Sequence, residues 1–122
     1  LVKNTRSAMT AESRYYLAEI HQKNKELTLA ENEINAILKM KPSYNFWIGK
    51  ALILKTKIDI ERGDYVQAEQ SLKSVIDFYP KDLNDGVLLE ANELMEELTQ
   101  LKNPVKIIEE EPDKKIEINQ NK

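Results

Sequence analysis

The residues able to do chemistry are few in this chain of 122 residues. His21 is the only histidine and there is no cysteine. That removes disulfides, thiolate zinc sites, thiol nucleophiles, His-rich metal sites and two-histidine proton relays. Carboxylates are plentiful but badly placed for catalysis. Glu109, Glu110 and Glu111 run consecutively, the pattern of a solvated tail. Asp82 and Asp85, beside Asn84 and Gly86, faintly resemble a calcium loop, yet that loop's full spacing and terminal Glu are missing. There is no Gly-rich phosphate loop and no Gly-x-Ser-x-Gly elbow. The expectation is a protein that is not an enzyme, with no metal and no cofactor, and with His21 in a structural role.

Length and composition agree with that expectation. A chain of this size fits one domain with a small continuous core. Hydrophobic residues make up 41% and charged residues 32%, as in soluble helical proteins whose charges cover the outer faces of amphipathic helices. The net charge of -3 and the absence of any Lys/Arg-rich run make nucleic acid an unsuitable partner. Apolar runs are far shorter than the roughly 20 residues a bilayer crossing needs, so no membrane span is expected. The start at Leu1 instead of Met is read as the mark of a longer parent, with any targeting signal cut away.

The elements follow from apolar spacing and punctuation. Prolines fall at 42, 80, 104 and 112, between the periodic segments. Tyr15, Leu17, Ala18 and His21 predict a helix over about 11–23, and Ala30, Ile34, Ile37 and Leu38 predict a second. Tyr44, Trp47, Ile48, Ala51, Leu52 and Ile58 predict a third, broken at Gly63. Tyr65, Ala68, Leu72, Val75, Ile76 and Tyr79 form a fourth stripe. A fifth helix is expected over about 84–101, with Glu90, Glu93, Glu96 and Glu97 toward solvent. Asp64 with Gln67 reads as a capping box, Thr28 with Glu31 as another, and Ser43 as the N-cap of the third helix.

The two helix pairs repeat. Ala30 and Ala68 are 38 residues apart, as are Pro42 and Pro80, and between them Ile34 matches Leu72 and Ile37 matches Val75. With Gly63-Asp64-Tyr65-Val66-Gln67-Ala68 and Tyr79-Pro80, and with Leu17-Ala18, His21, Ala30, Ile34 and Pro42 in the first pair, the chain resembles the tetratricopeptide-repeat (TPR) family over about residues 11–101. The resemblance implies an all-α fold, a TPR-like α-solenoid of two antiparallel helix pairs plus a C-terminal capping helix. Residues 1–10 would be a lead-in or remnant of the first helix, 11–42 and 43–80 the two repeats, 81–101 the capping helix and 102–122 a charged tail. The second repeat departs from the pattern: Lys55, Thr56 and Asp59 stand where the family buries bulk, so its first helix is expected to be rotated or poorly packed there. The extra length over the usual repeat is assigned to a turn around residues 43–47, anchored by Trp47. Similar repeats with elongated helices occur in TPR proteins of the bacterial cell envelope, which the resemblance offers as a lead to compartment.

The family binds proteins in a concave groove lined by its first helices. By resemblance the groove residues are Tyr15, Glu19, Gln22 and Lys23 in the first repeat, and Lys50, Ile53, Lys57, Ile60 and Glu61 in the second. Ile53 and Ile60, seven apart, would form an apolar strip flanked by Lys50 and Lys57, suited to an amphipathic helix or an extended peptide with acidic flanks. The competing reading makes both isoleucines ordinary packing residues. Tyr15, Glu19 and Leu54 stand where the carboxylate-clamp subtype would have Lys and Asn, so no clamp is expected. The leading function is a non-catalytic protein–protein interaction scaffold. The alternative is a structural or self-assembly module of a larger repeat array, favoured if large apolar residues lie exposed at the N-terminal end. About three repeats are needed for independent stability, so further repeats before Leu1 are expected, or alternatively the pairing of two copies to cover the exposed end. In the tail, Val105, Ile107, Ile116 and Ile118 alternate with polar residues around Pro112, which fits a hairpin or a disordered terminus.

Overall fold

Gly63 supplies a left-handed turn at φ 77 and the Asp64 side chain then accepts the Gln67 backbone N–H at 3.3 Å, which together end one helix and start the next. Such junctions divide the computed structural model, which describes residues 2–103, into five helices. These are α1 (Val2–Lys23), α2 (Leu27–Lys39), α3 (Asn45–Glu61), α4 (Tyr65–Phe78) and α5 (Val87–Lys102). The fold is all-helical, with no strand among the described residues. No helix is long and apolar enough to cross a membrane. The hairpin or disorder expected beyond Asn103 lies outside the described residues.

α1 packs on α2, α3 on α4, and α4 on α5, while α3 touches all four other helices. That central position explains the sequence of α3. Gly49, Ala51, Ile53, Leu54, Thr56, Ile58 and Asp59 are all buried, so the helix is covered nearly all round. Two clusters form the core. In one, Ala51, Leu54 and Ile58 of α3 meet Tyr15 and Ala18 of α1 and Ala30, Ile34 and Ile37 of α2, with Trp47 packed against them. In the other, Ile53 meets Leu72, Val75 and Tyr79 from α4 and its end, and Val87, Ala91 and Leu94 of α5. Each fully buried isoleucine or leucine contributes about 2 kcal/mol of apolar transfer.

α1 is one continuous helix from Val2, taking in residues expected as its lead-in or remnant, because nothing between residues 2 and 23 can break it: there is neither Gly nor Pro. Other expectations are corrected. The N-cap of α2 is Glu26 and that of α3 is Tyr44, neither with a side-chain cap bond, so Thr28 and Ser43 do not cap. Lys25, at φ 63, makes the turn into α2 three residues before Thr28, and Glu31 instead pairs with Arg62. α5 begins at Val87 and not at Asn84, since Asn84 and Gly86 both take left-handed φ.

The polar residues in the middle of α3 do not loosen it. Thr56 is fully buried and its Oγ1 donates to the Leu52 carbonyl at 2.9 Å. Asp59 is 4% exposed and receives the Lys55 ammonium at 3.1 Å, one turn away. The anomalous pair is therefore satisfied locally, and the helix packs tightly on both sides.

Candidate protein-binding face

α3 lies against both α1 and α5, and three groups of polar contacts cross these seams. Lys50 and Lys57, seven residues apart on α3, both donate to the Glu90 carboxylate of α5, each at 3.3 Å. The Lys50 ammonium also sits 5.6 Å from the centroid of the Tyr15 ring of α1, a cation–π approach. Within α1 the Tyr15 hydroxyl donates to Glu19 at 3.5 Å, and across the α1–α3 seam Gln22 donates to Glu61 at 3.2 Å. Lys25 also bonds Glu61. The result is a row of charged side chains joining α1, α3 and α5 across one face.

The electrostatics follow from these contacts. Burial pushes the Glu90 carboxyl up, but the Lys50 and Lys57 ammoniums together outweigh it and hold the group below the usual carboxylate range. The hydrogen bond from Lys25 likewise holds Glu61 low, against a smaller effect of burial. Burial, then the charges of Glu19 and Glu90, pushes the Tyr15 phenol well above its ordinary value. Lys50, Lys57, Glu61 and Glu90 are therefore already paired on this face, which offers hydrogen-bonding groups more than a field of one sign.

Not every expected groove residue is on this face. Glu19, Gln22, Lys50, Lys57 and Glu61 share it, and Lys23 is exposed at the end of α1. Ile53 is a correction: it is 2% exposed and packs against Val87 and Ala91 of α5, so it presents no surface to a ligand. Ile60 is half-buried against the same cluster, and the apolar strip does not form. Tyr15 is a second correction, buried to 7% exposure between α1 and α3, with only its hydroxyl directed toward Glu19. Seven-residue spacing put Ile53 and Ile60 on one side of α3 correctly but could not say that α5 covers that side.

Sequence reasoning missed Glu90, which was assigned to solvent with the other glutamates of α5. A signal was present: Glu90 is the acidic residue that stands 40 positions after Lys50, close to the repeat length. It also missed the aromatic group at the α1–α3 seam, where Trp47 lies 5.6 Å from Tyr15, 6.1 Å from Tyr16 and 4.8 Å from Phe46, centroid to centroid. Elsewhere, a cavity of about 240 Å³ opens between the start of α3 and the end of α4, lined by Ile48, Leu52, Val75 and Phe78 among others. Among the described residues no cluster of His, Cys, Asp and Glu is arranged to hold a metal.

No protein-family model, curated protein or solved structure matches the chain.

Proposed function

We propose that the chain is a short TPR-like α-solenoid that works as a non-catalytic protein–protein interaction scaffold. The observation that carries this is the placement of α3 against both α1 and α5, with polar side chains of the three helices joined on one face through Gln22–Glu61, Lys50 over Tyr15, and Lys50 and Lys57 on Glu90. This is what a stack of helix pairs with its first helices side by side would produce, and it agrees with the 38-residue repeat. The partner is a peptide or helix that lies across the three helices. Because Glu90 already answers both lysines, the bound segment gains more from hydrogen bonds to Glu19, Gln22 and Lys57 than from a block of acidic charge.

Selection of a displayed random-peptide library on the wild-type chain tests this reading, beside a Lys50→Gln, Lys57→Gln variant of unchanged helical circular dichroism. Peptides enriched on the first and lost on the second support it. Enrichment that ignores the double substitution, or none at all, removes the face as the binding surface.

A second reading has its own observation. Met9, Tyr16, Leu17 and Ile20 of α1 are 61%, 49%, 42% and 54% exposed, a concentration of apolar surface at the N-terminal side of the stack. This favours a structural module whose α1 packs against further protein.

A further inference from the structure

One spacing recurs on three helices. Trp47, Ala51, Leu54 and Ile58 of α3 follow a four-three-four pattern and pack against α1 and α2. Val87, Ala91, Leu94 and Leu98 of α5 repeat it 40 residues later and are buried, the first three against Ile53 of α3 and Leu72 and Val75 of α4. The same pattern, 38 residues before the α3 stripe, falls on Met9, Ser13, Tyr16 and Ile20 of α1. Its second position is small each time, Ser13, Ala51 and Ala91, which lets a facing helix come close. On α3 and α5 the preceding helix pair covers the stripe. On α1 the stripe is at the surface.

Charge tells what would cover it. Three residues beyond the first stripe position, and again seven further on, stand Glu12 and Glu19 on α1, Lys50 and Lys57 on α3, and Glu90 and Glu97 on α5. The sign alternates from helix to helix, and where the structure brings two rows together both lysines reach Glu90. A helix facing α1 in the same way has to be basic at two positions seven apart that converge on Glu12, the counterpart of Glu90.

A second copy of this chain does not meet that requirement. Two α1 helices packed antiparallel would set Met9 against Ile20 and Ser13 against Tyr16, but would also bring Glu12 near Glu19 twice, which repels. Stacked head to tail, the copy would offer the outer side of α5, where Asn92, Glu93, Glu96 and Gln100 are exposed and acidic charge again faces acidic charge.

We propose that the α1 stripe docks a partner helical hairpin whose first helix carries Lys or Arg at two positions seven residues apart, seated as α1 and α2 are seated on α3. This deepens the structural reading above and rests on the helix pairs stacking in register.

The chain contains a hairpin with the required features, so it supplies the probe. A copy of residues 43–86 joined directly to Met9 places Lys50 and Lys57 of the added segment about Glu12, in the register by which α3 and α4 precede α5 and both lysines reach Glu90. The expected result is a rise in Tm of several degrees over the unextended chain, with reduced binding of a hydrophobic dye. Reversing Lys50 and Lys57 to Glu in the added copy alone should lose part of that rise. An unchanged Tm, or a rise indifferent to the reversal, overturns the proposal. Should the extended chain not fold, the full unextended chain with Met9→Lys and Ile20→Lys decides. Dye binding lost at unchanged Tm supports a docking face, whereas a fall in Tm makes the stripe internal packing and overturns it. Sedimentation of the unextended chain completes the test, since a dimer abolished by Ile20→Lys would assign the face to a second copy. None of these readouts depends on peptide binding across α1, α3 and α5, so the two proposals fail separately.

Discussion

Gly49 on α3 stands so close to Val87 on α5 that a Cβ built on it would lie 2.9 Å from the valine Cγ1. The same Cβ would meet Tyr79 Cε1 at 3.0 Å. Neither neighbour can easily give way: Val87 is 1% exposed, and Tyr79 is held by a hydrogen bond to Asp85. In an open helix Gly→Ala gains roughly 1 kcal/mol. Here overpacking should win, and Gly49→Ala should destabilise the fold by about 1–3 kcal/mol. Urea unfolding measures it, and adding Val87→Ala should return a part of the loss through coupling of the two sites.

Asp64 and Thr28 separate a real cap from an expected one. Asp64→Ala should cost about 1 kcal/mol, because its carboxylate accepts the Gln67 N–H. Thr28→Ala should stay within about 0.5 kcal/mol, since Thr28 lies inside α2 and caps nothing. Equal losses in thermal denaturation would contradict the helix start given for α2.

The Lys55–Asp59 pair makes an asymmetric prediction. Lys55→Met leaves the Asp59 carboxylate 4% exposed and without its ammonium, and should cost about 1–3 kcal/mol in chemical denaturation. Converting both, Lys55→Met with Asp59→Leu, should recover most of that, as replacement of a buried pair by apolar side chains often does.

The Glu90 carboxyl gives the fold a pH dependence whose sign is fixed. Its pKa in the folded chain is below the ordinary 4.5, so the folded state holds fewer protons than the unfolded state as acid is added. The stabilisation is complete above about pH 4.5 and is lost as pH falls through the depressed value. Lys50→Gln with Lys57→Gln removes the cause of the shift and should flatten the dependence of unfolding free energy on pH in that range. At neutral pH Glu90→Gln should cost no more than about 1 kcal/mol, because the group is a third exposed.

Most of the helices were legible because their apolar stripes have the helical period and Gly63 and Pro80 punctuate them. What the sequence hid has physical causes. Periodicity names one side of a helix but not what covers it, and on α3 both sides are covered, so Ile53 looked as available as Lys57. The turn at Lys25 depends on a left-handed residue that is not glycine, which nothing in the local sequence announces. Glu90 resembled three other glutamates on its helix, and only its distance from two lysines on α3 sets it apart. Residues 2–10 offered a helix with no visible boundary, and α1 runs through them.

Trp47 is the only tryptophan, and it lies at the seam of α1 and α3 with Tyr16 beside it at 6.1 Å. Tyr16 is also a member of the exposed stripe. The molecule thus holds an intrinsic optical reporter one ring away from its open side. Selective excitation of the indole should show its emission shift when anything presses on Tyr16, so occupancy of that side could be followed by fluorescence without labels, in the unaltered chain, in real time.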